Sequence, residues 1–98
     1  MVRTVLDDRE LSKALYGSSH MHAVVVAVDS TDTDEFSAPE IASISGLAGS
    51  SIHVLISRLI RIGVIERAGG LPGERTLLYR KTKPDVLRML AHIGDPIR

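Results

Sequence analysis

The sequence predicts a small α+β fold, and three observations support that prediction. A capped helix start at Ser37 is followed by a glycine turn and a second helix with apolar residues at helical spacing. That helix stops at Gly63, where two aliphatic residues lead towards the glycine-rich stretch 69–73. The segment Thr76–Arg80 then alternates as a returning strand does. Helices followed by a hairpin in this order indicate separate helical and sheet layers.

Composition is that of an ordinary globular protein. The chain has 98 residues, of which 44% are hydrophobic and 24% charged, so we expect a single domain over residues 1–98. The lack of cysteine excludes a disulfide framework, a thiol nucleophile and a thiolate metal site. The N-terminus has no signal-peptide pattern, and the longest aliphatic run, Ala23–Val28, is too short to cross a bilayer. A cytoplasmic location without membrane contact is therefore expected.

Two helices are expected in the first third of the chain. The first extends from about Asp7 to Tyr16, with acidic residues near its start, and Gly17 ends or bends it. Ser18 or Ser19 is the expected cap of the second helix. The run 23–26 also suits a buried strand, but the order of elements favours a helix. The expected buried face of that helix is Met21, Val24, Val25 and Val28.

The firmest local signal begins a third helix. Ser37 and Glu40 form the S-x-x-E pattern of a capping box, with Pro39 in the first turn, where its missing N–H costs nothing. We therefore expect a helix over Ala38–Ser45, followed by a turn at Gly46. Its buried residues are expected to be Ile41, Ala42 and Ile44.

A fourth helix is expected to extend from a serine cap, Ser50 or Ser51, to Ile62. At 1.5 Å per residue it is roughly 20 Å long. Its apolar stripe predicts the buried face, which is Ile52, Leu55, Ile56, Leu59 and Ile62. The opposite stripe and its flanks are expected to face solvent, and consist of Ser50, His53, Val54, Ser57, Arg58 and Arg61.

The remaining elements complete a recognisable plan. Strands at 64–68 and 76–80 enclose the glycine-rich loop, and Pro84 opens a last helix that ends at Gly94. Together these elements predict a winged helix-turn-helix, with a trihelical core, a two-stranded wing, and additional N-terminal and C-terminal helices. The predicted bounds are about 37–63 for the helix-turn-helix, about 64–80 for the wing and about 84–93 for the C-terminal helix.

From about Leu11 to Thr82 the chain resembles the ArsR/MarR-type winged helix-turn-helix transcription regulators of bacteria and archaea. The segment LSKALYGSSHMHAVVVAV resembles the opening of that family, and APEIASISGLAGSSIHVLISRLIRIGVIER resembles its helix-turn-helix. The shared pattern is a serine-rich helix start, a late leucine, then glycine and two aliphatics, here Ser50, Ser51, Leu59, Gly63, Val64 and Ile65. The resemblance implies a sequence-specific DNA-binding repressor or activator, usually a homodimer.

The charge distribution agrees in part with DNA binding. The net charge is zero, but residues 1–36 carry three basic against seven acidic side chains, a balance of −4. Residues 37–98 carry nine basic against five acidic side chains, a balance of +4. The C-terminal part could therefore neutralise phosphates, although an ordinary mixed surface would give the same asymmetry.

Double-stranded DNA is the expected partner, and each contact has a physical reason. Serine hydroxyls and His53 can hydrogen-bond bases or phosphates, and Val54 can pack on a thymine methyl group. The late arginines Arg58 and Arg61 suit phosphates, and the resemblance places Arg75 at a wing tip near the minor groove. The predicted DNA-contacting residues are Ser50, Ser51, His53, Val54, Ser57, Arg58, Arg61, Arg67, Arg75 and Arg80.

A homodimer is expected because apolar residues outside the helix-turn-helix exceed what a small core can absorb. Two-fold pairing would bury them and set two recognition helices about 34 Å apart, one DNA turn. The alternative is that both terminal helices fold back on their own domain. The expected interface residues are Leu6, Leu11, Leu15, Val86, Leu90 and Ile93.

Other functions have weaker support. A winged-helix module that binds protein rather than DNA is the alternative, since Val54 and Ile60 are apolar residues on or near the outward side of the fourth helix. His20 and His22 are two apart, which on a helix points them in nearly opposite directions, so we expect surface histidines and no metal site. The acidic run at 30–35 is expected to be a solvated loop. We expect neither enzymatic activity nor a cofactor, because no catalytic or phosphate-binding motif is present.

Overall fold

The computed structural model describes residues 7–70 and 76–93. These residues form five helices and one three-stranded antiparallel sheet, which confirms the α+β class. The helices are α1 (Asp8–Tyr16), α2 (Met21–Ser30), α3 (Ala38–Ser45), α4 (Gly49–Arg61) and α5 (Pro84–Ala91). The strands are β1 (Glu35–Ser37), β2 (Ile65–Gly70) and β3 (Leu77–Lys81).

Helix α2 lies at the centre of the fold and contacts each of the other four described helices. Val24, Val25 and Val28 are fully buried, so the helical interpretation of the apolar run is right and the strand alternative is wrong. The other large, fully buried side chains come from the helices and from the strands. They are Phe36, Ile41, Ile52, Ile56, Leu59, Ile65 and Leu87. These residues belong to one core, to which both the helices and the sheet contribute.

The sheet contains a strand that the sequence did not predict. The strand order is β1-β3-β2, and β1 begins at Glu35, the last residue of the expected acidic loop, and ends at Ser37, the predicted cap of the third helix. Phe36 pairs with Tyr79 across β1 and β3. The β2–β3 register shifts between Arg67 and Gly69, where the chain has a positive φ of 90° at the glycine. The predicted strand pair therefore exists, but a third strand extends it.

The junction between α1 and α2 differs from the predicted serine cap. The N-cap of α2 is His20, whose backbone N–H donates to Ser18 Oγ at 3.3 Å. Ser12 of α1 is fully buried, donates from its hydroxyl to the carbonyl of Ser18, and accepts from the backbone N–H of His22 at 2.8 Å. His22 is itself 5% exposed, so the expectation of a surface histidine was wrong there. A buried serine of α1 is thus bonded to the backbone of α2 at His22 and to the turn before α2 at Ser18.

The capping box of α3 is present as predicted. The backbone N–H of Glu40 donates to Ser37 Oγ at 3.3 Å, and the backbone N–H of Ser37 donates to Glu40 Oε1 at 3.4 Å. Such a cap stabilises a helix by about 1 kcal/mol. Gly46 ends α3 in the left-handed region, with φ 74°. These local signals set both ends of the helix.

Three aliphatic residues differ from the prediction in their burial. Ile44 is 49% exposed, because it is turned about 60° from Ile41 to the side away from Ala38. Ile62 is 58% exposed: the chain reverses at the next residue, and Val64 and Ile65 fill the core in its place. Ile60, expected near solvent, is half-buried and packs against the core.

The last helix is shorter than predicted, since α5 ends at Ala91, and Gly94 lies outside the described residues. Leu87 and Ala91 face the core. In the described parts of the chain, no single helix is long and apolar enough to cross a membrane. Helices α3 and α4 are long and apolar enough only when they are taken together, and the chain bends by 113° between them.

Candidate nucleic-acid interface

Helices α3 and α4 form a pair in which α4 has one exposed face. Gly46, Leu47 and Ala48 connect them, and the helices bend by 113° relative to each other. A three-residue turn with glycine and a crossing of about 90–120° are typical of helix-turn-helix pairs. Ile52, Leu55, Ile56 and Leu59 fix the rotation of α4 by entering the core. The rest of the α4 surface is thereby directed away from the protein.

The outward face of α4 has the composition that the sequence predicted. Its exposed members are Ser50, His53, Val54, Ser57, Arg58 and Arg61. The helix contains no Asp or Glu, so nothing on it repels a polyanion. Val54 is 55% exposed and gives this face an apolar spot.

The N-terminal end of α4 differs from the expected serine cap. Its N-cap is Ala48, and within the described residues no side-chain hydrogen bond caps this end. Ser50 and Ser51 instead stand in the first turn, where neither hydroxyl has a hydrogen-bond partner in the described residues. Both hydroxyls, and the backbone N–H groups of Gly49 and Ser50, are therefore available to an external acceptor, whereas the Ser51 N–H donates to the carbonyl of Ala48 at 3.1 Å.

Ser57 has a restricted hydrogen-bonding capacity. Its hydroxyl donates to the backbone carbonyl of His53, four residues earlier, at 2.9 Å. A hydroxyl has one proton and two lone pairs, so Ser57 in this rotamer can only accept further hydrogen bonds. Towards DNA it would favour the amino groups of adenine or cytosine over the acceptor edge of guanine.

The arginines that the sequence predicted to contact DNA differ in their surroundings. Arg58 and Arg61 are exposed in the last turn of α4 and form no ion pair with a described residue. Arg80 lies between two carboxylates, 3.3 Å from Glu35 and 3.1 Å from Glu66. Its guanidinium thus already has two partners, so Arg80 is less available to an external anion than Arg58 or Arg61. Arg67 is exposed on β2, opposite Tyr79 in the β-ladder, whereas Arg75 lies outside the described residues.

Helix α1 borders the outward face of α4, which the sequence did not indicate. An open groove separates α1 and the turn after it from the outward flank of α4. Arg9 and Lys13 line its α1 wall, and Ser51 and Arg58 line its α4 wall. The two α1 cations are four residues apart, a spacing visible in the sequence, but only the packing of α1 on α2 brings them beside α4.

Two carboxyl groups share the α1 wall with these cations. The backbone N–H of Glu10 donates to Asp7 Oδ1 at 2.8 Å, and this hydrogen bond lowers the pKa of Asp7. Hydrogen bonding with the Asp7 carboxylate, and repulsion by it, raise the pKa of Glu10. Elsewhere on α1, burial raises the pKa of Tyr16, whose hydroxyl has no hydrogen-bond partner among the described atoms.

Histidines and carboxylates do not gather into a site. Over residues 7–70 and 76–93, no three of the potential ligand side chains lie close enough together to hold a metal ion. His22 is buried beneath α1, and His20 stands half-buried at the edge of the groove. The two side chains therefore lie in different environments.

The expected dimer residues are divided between surface and core. Leu15 is 44% exposed, Val86 38% and Ile93 36%. Leu11 is half-buried, and Leu90 packs against the core of its own chain. Leu6 lies outside the described residues. The most exposed apolar side chain of α5 is Met89, at 70%, which is not among the expected interface residues.

Comparison of the sequence with models of known protein families gives no match, and comparison with curated proteins gives none either. The geometry of α3, α4 and the sheet is accordingly the basis for assigning a class.

Proposed function

We propose that this protein is a winged helix-turn-helix regulator of transcription that places α4 in the major groove of DNA. The observation that carries the proposal is the outward face of α4, which combines free hydroxyls, His53 and two unpaired arginines without any carboxylate. The 113° bend between α3 and α4 and the β2–β3 hairpin that follows them support the same fold. The resemblance of this segment to ArsR/MarR-type regulators supports the regulatory role.

The geometry of α4 assigns base contacts and phosphate contacts to different residues of the helix. A helix of 13 residues is about 20 Å long, enough to lie along the groove. Ser50, Val54 and Ser57 occupy the middle of the outward stripe, where base edges would be met. Arg58 and Arg61 extend from the last turn, where the helix leaves the groove and phosphates come within reach.

A protein-binding module is the second candidate, and exposed aliphatic side chains favour it. Ile44, Val54 and Ile62 are each about half exposed. Exposed aliphatic side chains can contribute to a protein interface, and a net charge of zero does not favour binding to a polyanion. In this alternative α4 would contact a protein partner rather than base pairs.

Titration of a labelled random-sequence duplex with the purified protein distinguishes the two candidates. The regulator should bind with an affinity that falls steeply as salt rises, with a slope of about 0.9 per phosphate contact. Fluorescence anisotropy between about 50 and 200 mM salt measures that slope. An absence of duplex binding at the low-salt end would overturn the proposal in favour of the protein-binding module.

We further propose that the regulator is a homodimer that pairs through α1 and α5. Leu15, Val86 and Met89 expose apolar surface on these two helices, both of which pack on α2. A single winged helix reads only one half-site, so a second copy supplies the phosphate contacts that one chain lacks.

Light scattering at micromolar concentration should give the mass of two chains for the wild-type protein. Leu15→Glu should shift the mass to one chain, because it sets a charge in the proposed interface without removing a core residue. Leu77→Glu, at an equally exposed leucine on β3, is the matched control and should remain dimeric. A wild-type mass of one chain would refute the dimer. Leu90 is unsuitable for this test because its half-buried side chain packs against the core of its own chain, so its replacement would also affect folding.

A further inference from the structure

The groove between α1 and α4 has cations on both walls, and hydroxyls in the turn after α1 and on the α4 wall. Arg9 and Lys13 stand on the α1 side, Ser18 and Ser19 in the turn that follows, and Ser51 and Arg58 on the α4 side. The groove is open to solvent rather than enclosed. Guanidinium, ammonium and hydroxyl groups are the side chains that proteins use to hold phosphates.

The packing of α1 explains why its cations face this groove. Ser12 is fully buried against α2, and its two hydrogen bonds to backbone groups fix the rotation of α1. Lys13 follows Ser12 by about 100° around the helix, and Arg9 lies on the same side one turn earlier. Leu15 falls on the opposite side of the buried stripe. The cationic side of α1 and its apolar side are therefore separate surfaces.

The groove is continuous with the outward face of α4. Ser50, Val54 and Arg58 belong both to the groove lining and to the exposed stripe of the helix. A duplex that receives α4 in its major groove must place a sugar-phosphate backbone along each flank of the helix. On the Arg58 flank, that backbone would meet the α1 wall.

We propose that the α1–α4 groove seats one sugar-phosphate backbone of the bound DNA, with Arg9 and Lys13 as phosphate anchors. This inference rests on the proposed function and extends the DNA-binding surface to a helix outside the helix-turn-helix. Asp7 and Glu10 also line the groove and oppose the phosphate charge. The lining retains a net positive charge, because Arg9, Lys13 and Arg58 outnumber the two carboxylates.

Substitutions that remove positive charge and a substitution that removes negative charge from the groove test the phosphate anchors. The double variant Arg9→Gln, Lys13→Gln should bind random duplex about tenfold more weakly than wild type, with a salt slope lower by about two. Glu10→Gln should bind more tightly, because it removes a negative charge from the same wall. Lys83→Gln is the matched control, since Lys83 is an exposed lysine that does not line the groove, and it should change neither quantity. Circular dichroism checks that every variant keeps the wild-type helix content.

The outcomes separate this inference from the proposed function. If wild type binds duplex and Arg58→Gln weakens binding, but the Arg9, Lys13 double variant retains the wild-type affinity and slope, the anchors are refuted and the function stands. Saturable binding of inorganic phosphate that the double variant loses, without any change in duplex binding, assigns the groove to a free anion and overturns the inference. If wild type binds no duplex, both the inference and the function fail.

Discussion

Replacement of Phe36 by alanine is expected to lower the free energy of unfolding by about 3–5 kcal/mol. Phe36 is 1% exposed, and its ring stacks on Tyr79 with centroids 5.9 Å apart and an interplanar angle of 28°. The substitution removes the largest fully buried side chain and leaves a cavity between β1 and the helices. Urea denaturation followed by far-ultraviolet circular dichroism measures the change.

A matched substitution at an exposed residue shows whether the loss of stability depends on the burial of the side chain that is removed. Leu77 on the neighbouring strand β3 is 51% exposed, so Leu77→Ala should cost less than about 1 kcal/mol. Small proteins are stable by only about 5–15 kcal/mol, so the Phe36 variant should be close to unfolding at modest urea concentrations. Equal costs for the two variants would contradict the place of Phe36 in the core.

The parts of the fold that follow from local chemistry were predictable from the sequence. Ser37 and Glu40 are three residues apart in the chain, so their capping box needs no tertiary contact to be recognised. Gly17 and Gly46 mark helix ends because glycine adopts the left-handed conformation without steric cost, and both have a φ of 74°. The apolar stripe of α4 likewise repeats within a single helix.

Strand β1 could not be predicted because three residues are too few for an alternating pattern to be recognised, although its burial does alternate about Phe36. It exists because Phe36 and its neighbours pair with β3, more than 40 residues later in the chain. Its presence also explains why the expected loop stops at Asp34 rather than at Glu35. A strand this short depends on its partner, which a sequence pattern cannot reveal.

The candidate site shows the same division. The outward face of α4 follows from helical periodicity, so its exposed residues were correctly selected. The position of Arg9 and Lys13 beside α4 follows from the packing of α1 on α2, and the pairing of Arg80 with two carboxylates follows from the lateral order of the strands. Both depend on neighbours distant in sequence, so neither could be predicted from residue spacing.

The double substitution Arg58→Gln, Arg61→Gln is expected to weaken duplex binding by at least about 100-fold, since each of the two lost hydrogen bonds to a charged group is worth about 1.5 kcal/mol or more. The salt slope should fall by about two, one for each lost phosphate contact. Glutamine has nearly the helix propensity of arginine, so α4 should persist. Fluorescence anisotropy with a random duplex over a salt series measures both effects.

Arg80→Gln is the informative control for that experiment. All three arginines are exposed, but the Arg80 guanidinium already contacts Glu35 and Glu66, whereas Arg58 and Arg61 form no ion pair with a described residue. Substitution of Arg80 should therefore leave affinity and salt slope close to wild type. If it weakens binding as much as the α4 double variant does, then net charge rather than contact by α4 governs the interaction. If the double variant binds like wild type, α4 does not lie on DNA, and its exposed aliphatic residues favour a protein partner instead.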